Sequence, residues 1–202
     1  MRRRVALLAV LALAACGRLL PAHQQTIEPA SLEGGAYHLD PDHISLLWKV
    51  DHLGFSTFVG RFDRVEASLD FDPAAPATSR LKVLVDTASI DSRLPALDDT
   101  LRGSGWLDVA TYPQAVFRST AIEVTGEKTG KITGDLTLHG VTRPVTLDVT
   151  FNGGANNLLT GRYTLGFDAA GTIRRSEFGI TNLVPAVGDA VELEIHAEFS
   201  RQ

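Results

Sequence analysis

The sequence predicts an all-β domain, and three observations carry that prediction. Apolar and polar residues alternate with a period of two through most of the chain after Ala36. Gly, Pro, Asn and Asp gather between the alternating runs, where turns need them. One stretch alone, near Leu94, changes to the three-and-four spacing of a helix. Period-two alternation places each apolar set on one face of a sheet and each polar set on the other.

The first segment is not part of that domain. Arg2, Arg3 and Arg4 precede an apolar run from Val5 to Ala15, which is too short to span a membrane as a helix. A basic start, a short apolar run and small residues make up the anatomy of a secretory signal. Leu13-Ala14-Ala15-Cys16 resembles the lipobox of bacterial lipoproteins, in which the signal is cut before the cysteine and the thiol is lipidated. Residues 1–15 are therefore expected to be a signal peptide and Cys16 a lipid anchor. Gly17, in place of an Asp, follows the cysteine, and by that analogy the outer membrane is favoured. Residues 16–35 lack periodicity and carry Pro21, Pro29, Gly34 and Gly35, so they read as a flexible tether.

The remaining residues, 36–202, are long enough for one domain with a sizeable core. Cys16 is the only cysteine, so no disulfide is expected within the mature chain. The formal charge of -5 becomes -8 once the three signal arginines are removed. That balance argues against nucleic acid or an anionic lipid surface as partner, because both reward clustered Lys and Arg.

The strands follow in order. Ile44, Leu46, Trp48 and Val50 alternate with Ser45, Leu47 and Lys49. Val65, Ala67, Leu69 and Phe71 alternate with Glu66, Ser68 and Asp70. Leu81, Val83 and Val85 form the next run. Leu94, Leu97 and Leu101 then lie on one helical face, with Pro95 suited to a first turn and Ser92 to a cap. Gly103 and Gly105 end this helix, inside an insertion from about Asp91 to Pro113. Ile132, Leu136 and Leu138 resume the strand pattern. Val145 to Phe151, Tyr163 to Phe167 and Val191 to Phe199 complete it. Gly126 and Gly130 frame a hairpin turn. About eight such strands form either a sandwich or a closed barrel, and periodicity does not choose between them.

Several blocks resemble the YceI-like family. They are Tyr37-His38-Leu39-Asp40-Pro41-Asp42-His43, Val50-Asp51-His52-Leu53-Gly54-Phe55-Ser56 and Gly60-Arg61-Phe62. Thr87-Ala88-Ser89-Ile90, Trp106-Leu107-Asp108-Val109 and Tyr112-Pro113 follow. Gly134-Asp135-Leu136-Thr137-Leu138-His139-Gly140-Val141-Thr142-Arg143-Pro144-Val145 is the most specific. Ile173-Arg174-Arg175-Ser176-Glu177-Phe178-Gly179 and Val187-Gly188-Asp189 close the series, which covers about residues 36–200. The resemblance implies an extended, eight-stranded antiparallel lipocalin-like barrel with one helical insertion. It also implies an interior that binds a long isoprenoid or similar lipid, a periplasmic setting, and no catalytic residues. Thr100 stands where many relatives carry a His, and Ile44 where many carry a Ser.

A lipid tail is held by apolar area, at roughly 25 cal/mol for each square ångström removed from water. The candidate lining is Leu46, Trp48, Val50, Phe55, Phe58, Phe62, Trp106, Leu136, Leu138, Leu165, Phe167 and Phe178. Trp48 and Trp106 stand out, since an indole adds an N–H that can meet a polar head group. Core filling is the competing role for each of these residues. No pair among His23, His38, His43, His52, His139 and His196 has the spacing of a common zinc motif, so no metal is expected. His52 and His139 read as turn hydrogen bonders, and His196 as part of a solvated strand face. No G-x-S-x-G is present, Asp98-Asp99 do not share a helix face, and neighbouring Arg174 and Arg175 point to opposite sides.

The expected function is non-enzymatic binding, storage or transport of a long-chain lipid in the bacterial envelope, on the periplasmic side. A prenyl quinone, polyprenyl phosphate, carotenoid-like molecule or fatty amide would be the ligand, with no further cofactor. Membrane attachment would run through Cys16, nucleic acid is not a partner, and a homodimer is open. The alternatives are an enzyme acting on a lipid head group, which needs a convergent titratable pair, and an envelope scaffold with a filled core.

Overall fold

Residues 24–202 are described by the computed structural model. The expected signal segment, Cys16 and His23 lie outside the described residues. The strands are β1 (Gly35–His52), β2 (Ser56–Phe62), β3 (Val65–Phe71), β4 (Arg80–Asp86), β5 (Ile90–Asp91), β6 (Gln114–Val124), β7 (Thr129–Leu138), β8 (Val141–Asn156), β9 (Tyr163–Arg174) and β10 (Val187–Arg201). One helix, α1 (Pro95–Arg102), lies between β5 and β6. Strand order is β10-β9-β8-β7-β6-β4-β3-β1-β2-β5, every neighbouring pair is antiparallel, and β10 also pairs with β1. That last pairing settles the choice between sandwich and barrel. Eight strands close into a barrel, and β2 and β5 extend one end as a flap. The register at closure sets Leu46 opposite Ile195, Trp48 opposite Leu193 and Val50 opposite Val191. The apolar sets of both strands therefore face inward together.

The sequence pattern missed β6. Its alternation is interrupted by a register shift between Ser119 and Ala121, where a bulge inserts an extra residue. On the other side of β7, His139 (φ 50°) and Gly140 (φ 74°) make the tight turn into β8. Two successive left-handed residues match the twist of the flanking strands. His139 Nδ1 lies 3.0 Å from the Phe178 carbonyl, and its ring meets Tyr112 edge-on at 4.8 Å.

The two ends of the barrel are built differently. At the first, Tyr37, Leu39, Phe71, Tyr163, Leu165 and Phe199 form a buried plug. Its phenols take acceptors from the chain before β1. Tyr37 donates to the Glu33 carbonyl at 2.6 Å and Tyr163 to the Ser31 carbonyl at 3.3 Å. Thr26 bridges to Gly154, Leu32 packs on the plug, and Glu33 pairs with Arg201. The second half of the expected tether is thus a lid held against the barrel. Aperiodicity in the sequence reported only that the segment is no strand. It carried no trace of the tyrosine hydroxyls that fix its carbonyls.

At the second end, α1 and the loop after β9 form a cap. Pro95 occupies the first turn of α1 as expected, but Leu94, not Ser92, is the N-cap residue. Asp98 reaches back instead, accepting from the Ser92 backbone N–H at 2.7 Å and the Ser92 hydroxyl at 2.5 Å. Those bonds hold the buried Asp98 carboxyl below its ordinary range. The loop is organised by Arg175, only 5 % exposed. Its guanidinium donates to the carbonyls of Gly188 (2.9 Å), Ile180 (3.1 Å), Asn182 (2.8 Å) and Val187 (2.8 Å). It also sits 5.3 Å from the centroid of the Trp106 ring. Arg174 points outward and forms an ion pair with Asp189 at 3.6 Å.

Two measurements test these ends. Arg175→Met strands four carbonyls and should cost about 3 kcal/mol, read as a lower denaturant midpoint. The Tyr37 phenol is pushed up to about 12, chiefly by burial. Its contribution to stability is intact below about pH 10, the unfolded value, and disappears as pH rises towards 12. Burial raises the Tyr163 phenol as well, so tyrosinate absorbance should show a late-titrating fraction that Tyr37→Phe reduces without abolishing.

Candidate functional site

Between plug and cap the barrel encloses a cavity of about 600 Å³, inside the roughly 300–1,000 Å³ range of small-molecule sites. Side chains from all eight barrel strands reach its wall. Ile44, Leu46, Trp48, Val50 and His52 descend in one row along β1, two residues apart, as strand geometry requires. Val83, Val149, Ala169, Leu193 and Ile195 continue the wall around the barrel. Phe167 and Phe199, edge-to-face at 5.9 Å, make the floor against the plug. Leu97, Leu101 and Trp106 roof the other end. Leu94 and Leu183 also line the cavity although they are 54 % and 63 % exposed, so the cavity reaches the surface between them. His52 borders that mouth, and the exposed Leu53 and Phe55 follow it in the β1–β2 turn.

Nine of the twelve side chains expected to line a cavity are on its wall: Leu46, Trp48, Val50, Phe58, Phe62, Trp106, Leu136, Leu138 and Phe167. Three are elsewhere. Phe55 is 87 % exposed, because it belongs to the turn after β1 and not to a strand. Leu165 is fully buried in the plug, and Phe178 is buried beneath the cap against Phe117, Val145, Leu147 and Ile173. The sequence reading also left out wall residues. The inward face of α1 was visible as a helical leucine stripe, but nothing in that stripe says what it covers. Thr100 bonds the Ala96 carbonyl of its own helix at 2.9 Å and is exposed. Its departure from the family pattern therefore leaves the cavity wall unchanged.

Polar chemistry on the wall is sparse. Apart from the indoles, His52 and Arg175 are the polar side chains that line it. Trp48 stacks on Phe58 at 5.8 Å, and its ring covers Gly60, where a Cβ would fall 2.2 Å from the indole. The Trp48 Nε1–H is buried and has no hydrogen-bond partner among the described residues.

Other titratable clusters lie on the outside. His196 is held between Glu194 at 3.0 Å and Asp168 at 2.6 Å, which raise its pKa. Lys49 pairs with the same Glu194. Asp40, His43 and Glu198 bring potential metal-ligand atoms within 4.8 Å of one another. They meet where the β1–β10 register shifts, a proximity that no linear motif encodes. Within this group Asp40 and His43 form an ion pair at 3.0 Å, and it raises the pKa of the exposed His43.

Comparison with known proteins agrees with this architecture. The YceI-like domain profile matches residues 37–199. A UPF0312 protein of Pseudomonas putida strain W619 is 39 % identical over 168 residues, covering 82 % of this chain and 86 % of the relative. The crystal structure of Burkholderia cenocepacia BcnA superposes with a TM-score of 0.72 at 29 % identity, over 79 % of this chain and 98 % of that one. A polyisoprenoid binding domain from Saccharophagus degradans shares the fold at a TM-score of 0.59 and 14 % identity, over 84 % and 100 %. A closed eight-stranded barrel with a helical cap, matched along nearly its whole length, makes this chain a member of the YceI-like family.

Proposed function

We propose that the protein is a non-enzymatic carrier or store for a long-chain isoprenoid or similar lipid, acting in the bacterial cell envelope. The observation that carries this reading is the cavity: about 600 Å³, aliphatic and aromatic, opening at one end of a closed barrel. Such a wall rewards apolar contact along the whole length of a chain and offers few groups for chemistry. The fold shared with a polyisoprenoid binding domain supports the same ligand class. The enzyme alternative needs a convergent acid–base pair, and the described wall supplies only His52 and Arg175, with the guanidinium bonded to four carbonyls. The scaffold alternative needs a filled core.

Attachment through a lipidated Cys16 belongs to this proposal. Thr26 is fixed beside Gly154 at the plugged end. The residues between Cys16 and Thr26 reach about 30 Å when extended. The sixteen residues of β8 rise about 40 Å along a barrel axis when strands tilt by roughly 40°. An upright barrel tied at its plugged end therefore holds its mouth away from the membrane that anchors it.

Two experiments test the proposal. Gentle purification and mass spectrometry of an organic extract should find a stoichiometric prenyl or similar lipid. Ala169→Phe, on the wall, should abolish its retention while leaving the thermal midpoint unchanged or higher. A filled core would instead lose about 1–3 kcal/mol to overpacking, which would sink the carrier reading. Cys16→Ser should move the protein from the membrane to the soluble fraction of cells. Unchanged membrane association would remove the anchor from the mechanism.

A further inference from the structure

Among the described residues seven large apolar side chains are half or more exposed, and four of them, Leu53, Phe55, Leu94 and Leu183, gather at the cavity mouth. They come from three separate segments. Leu53 and Phe55 belong to the β1–β2 turn, Leu94 precedes α1, and Leu183 lies in the loop before β10. The Leu53 backbone N–H donates to the Ala186 carbonyl at 3.0 Å, which ties the first segment to the third. Leu158 and Leu159 protrude at the plugged end instead, on the β8–β9 turn.

The backbone at the mouth takes a conformation that leucine avoids. Leu53 (φ 60°) and Leu183 (φ 59°) are left-handed, and so is Arg93 (φ 64°), next to Leu94. In that region a Cβ crowds the neighbouring carbonyl oxygen, so Gly, Asn and Asp are the usual occupants. Leu53 is half exposed and is not on the cavity wall, so core packing does not account for it. Strain of this kind persists where function needs it. The polar backbone of the same segments is meanwhile closed off. The N–H groups of Gly54 and Phe55 donate to the Asp51 carboxylate at 2.9 Å and the His52 carbonyl at 3.0 Å. Those of Arg93 and Leu94 donate to the Asp91 carboxylate at 2.7 Å and the Ser92 hydroxyl at 3.3 Å. These turns can leave water without stranding those donors.

Size, shape and charge decide what covers such a rim. Four side chains on three protruding segments fall far short of the roughly 800 Å² that each partner buries in a stable protein interface. They suit a lipid interface, where Phe and Leu settle at the boundary of head groups and acyl chains. The chain is acidic, -5 overall, so an anionic surface does not attract it and contact has to come from apolar insertion. The cavity opens among these side chains, between Leu94 and Leu183.

Resting on the carrier reading, we propose that the mouth rim is a docking surface for a lipid bilayer. Leu53, Phe55, Leu94 and Leu183 enter the acyl region of the bilayer that faces the mouth. An apolar ligand then passes between bilayer and cavity without crossing water.

The test asks which end of the protein meets acyl chains. Purified protein is held in plain phosphatidylcholine vesicles by its acyl chains, or left in solution if it has none. It is then mixed with phosphatidylcholine vesicles whose acyl chains are brominated. Emission from Phe55→Trp should be quenched, and emission from Leu159→Trp, at the plugged end, should not. Wild-type protein supplies the background of its two tryptophans. Raising the salt concentration should leave the quenching unchanged, since apolar insertion is not screened. Leu53→Asn should weaken vesicle binding by about fivefold or more and keep geranylgeraniol affinity within about twofold. Its thermal midpoint should stay or rise, because Asn tolerates the left-handed conformation. Both reporter positions are exposed, so the contrast between them decides the matter if Leu53→Asn fails to fold. Quenching at Leu159→Trp, quenching at neither position, or quenching that salt abolishes would overturn the docking surface and leave the carrier reading standing. A soluble protein that shields Phe55→Trp where vesicles do not would overturn it too. Docking by a wild-type protein that retains no prenyl lipid would overturn the carrier reading alone.

Discussion

β1 and β10 are hydrogen-bonded along their length, and this pairing of the first strand with the last turns a sheet into a tube. Within the barrel it leaves no free sheet edge, so the backbone satisfies its own hydrogen bonds without help from the interior. It also forces one apolar face of every barrel strand towards a common axis. The interior then has to be filled, plugged or occupied. This protein plugs one end with Tyr37, Phe71, Tyr163 and Phe199, caps the other with α1 and the Arg175 loop, and leaves the middle open.

Plug and cap are stabilised by different means, which bears on function. The plug is aromatic packing closed from outside by two phenol-to-carbonyl bonds. The cap is a short helix, tied to Ser92 by the buried Asp98 carboxylate, and a loop whose carbonyls the buried Arg175 guanidinium gathers. Short segments held by a few polar bonds open at lower free energy than packed core strands. The cap end is also where Leu94 and Leu183 connect the cavity to the surface. Opening of the cavity is therefore cheapest at the cap, and the plug serves as a fixed floor.

Most of the wall was legible in the sequence because alternation along a strand reports directly which side chains share a face. Leu46, Trp48 and Val50 needed only that rule. Phe55 misled because a motif residue in a turn obeys no alternation, and Leu165 because an inward residue near the end of a barrel meets the plug and not the cavity. The strand Gln114–Val124 was hidden by its bulge. Arg175 was read as one of a pair pointing opposite ways, which holds. Its four carbonyl acceptors come from positions 180, 182, 187 and 188, and loop carbonyls leave no signature in side-chain pattern. The lid over the plug was illegible for the same reason.

Magnitude separates a lined cavity from an imperfectly packed core. Cavities in protein cores lose about 24 cal/mol for each cubic ångström left empty. Scaled to about 600 Å³, the missing contacts are on the order of 10 kcal/mol, comparable with the whole stability of a typical domain. Loose packing does not accumulate to that size by drift when substitutions such as Ala169→Phe or Ala67→Leu lie within easy reach of filling it. Both alanines are on the wall. A barrel tolerates the void because its strands are held by paired backbone and by the packed layers at each end. It keeps the void against an available remedy only if something else makes those contacts.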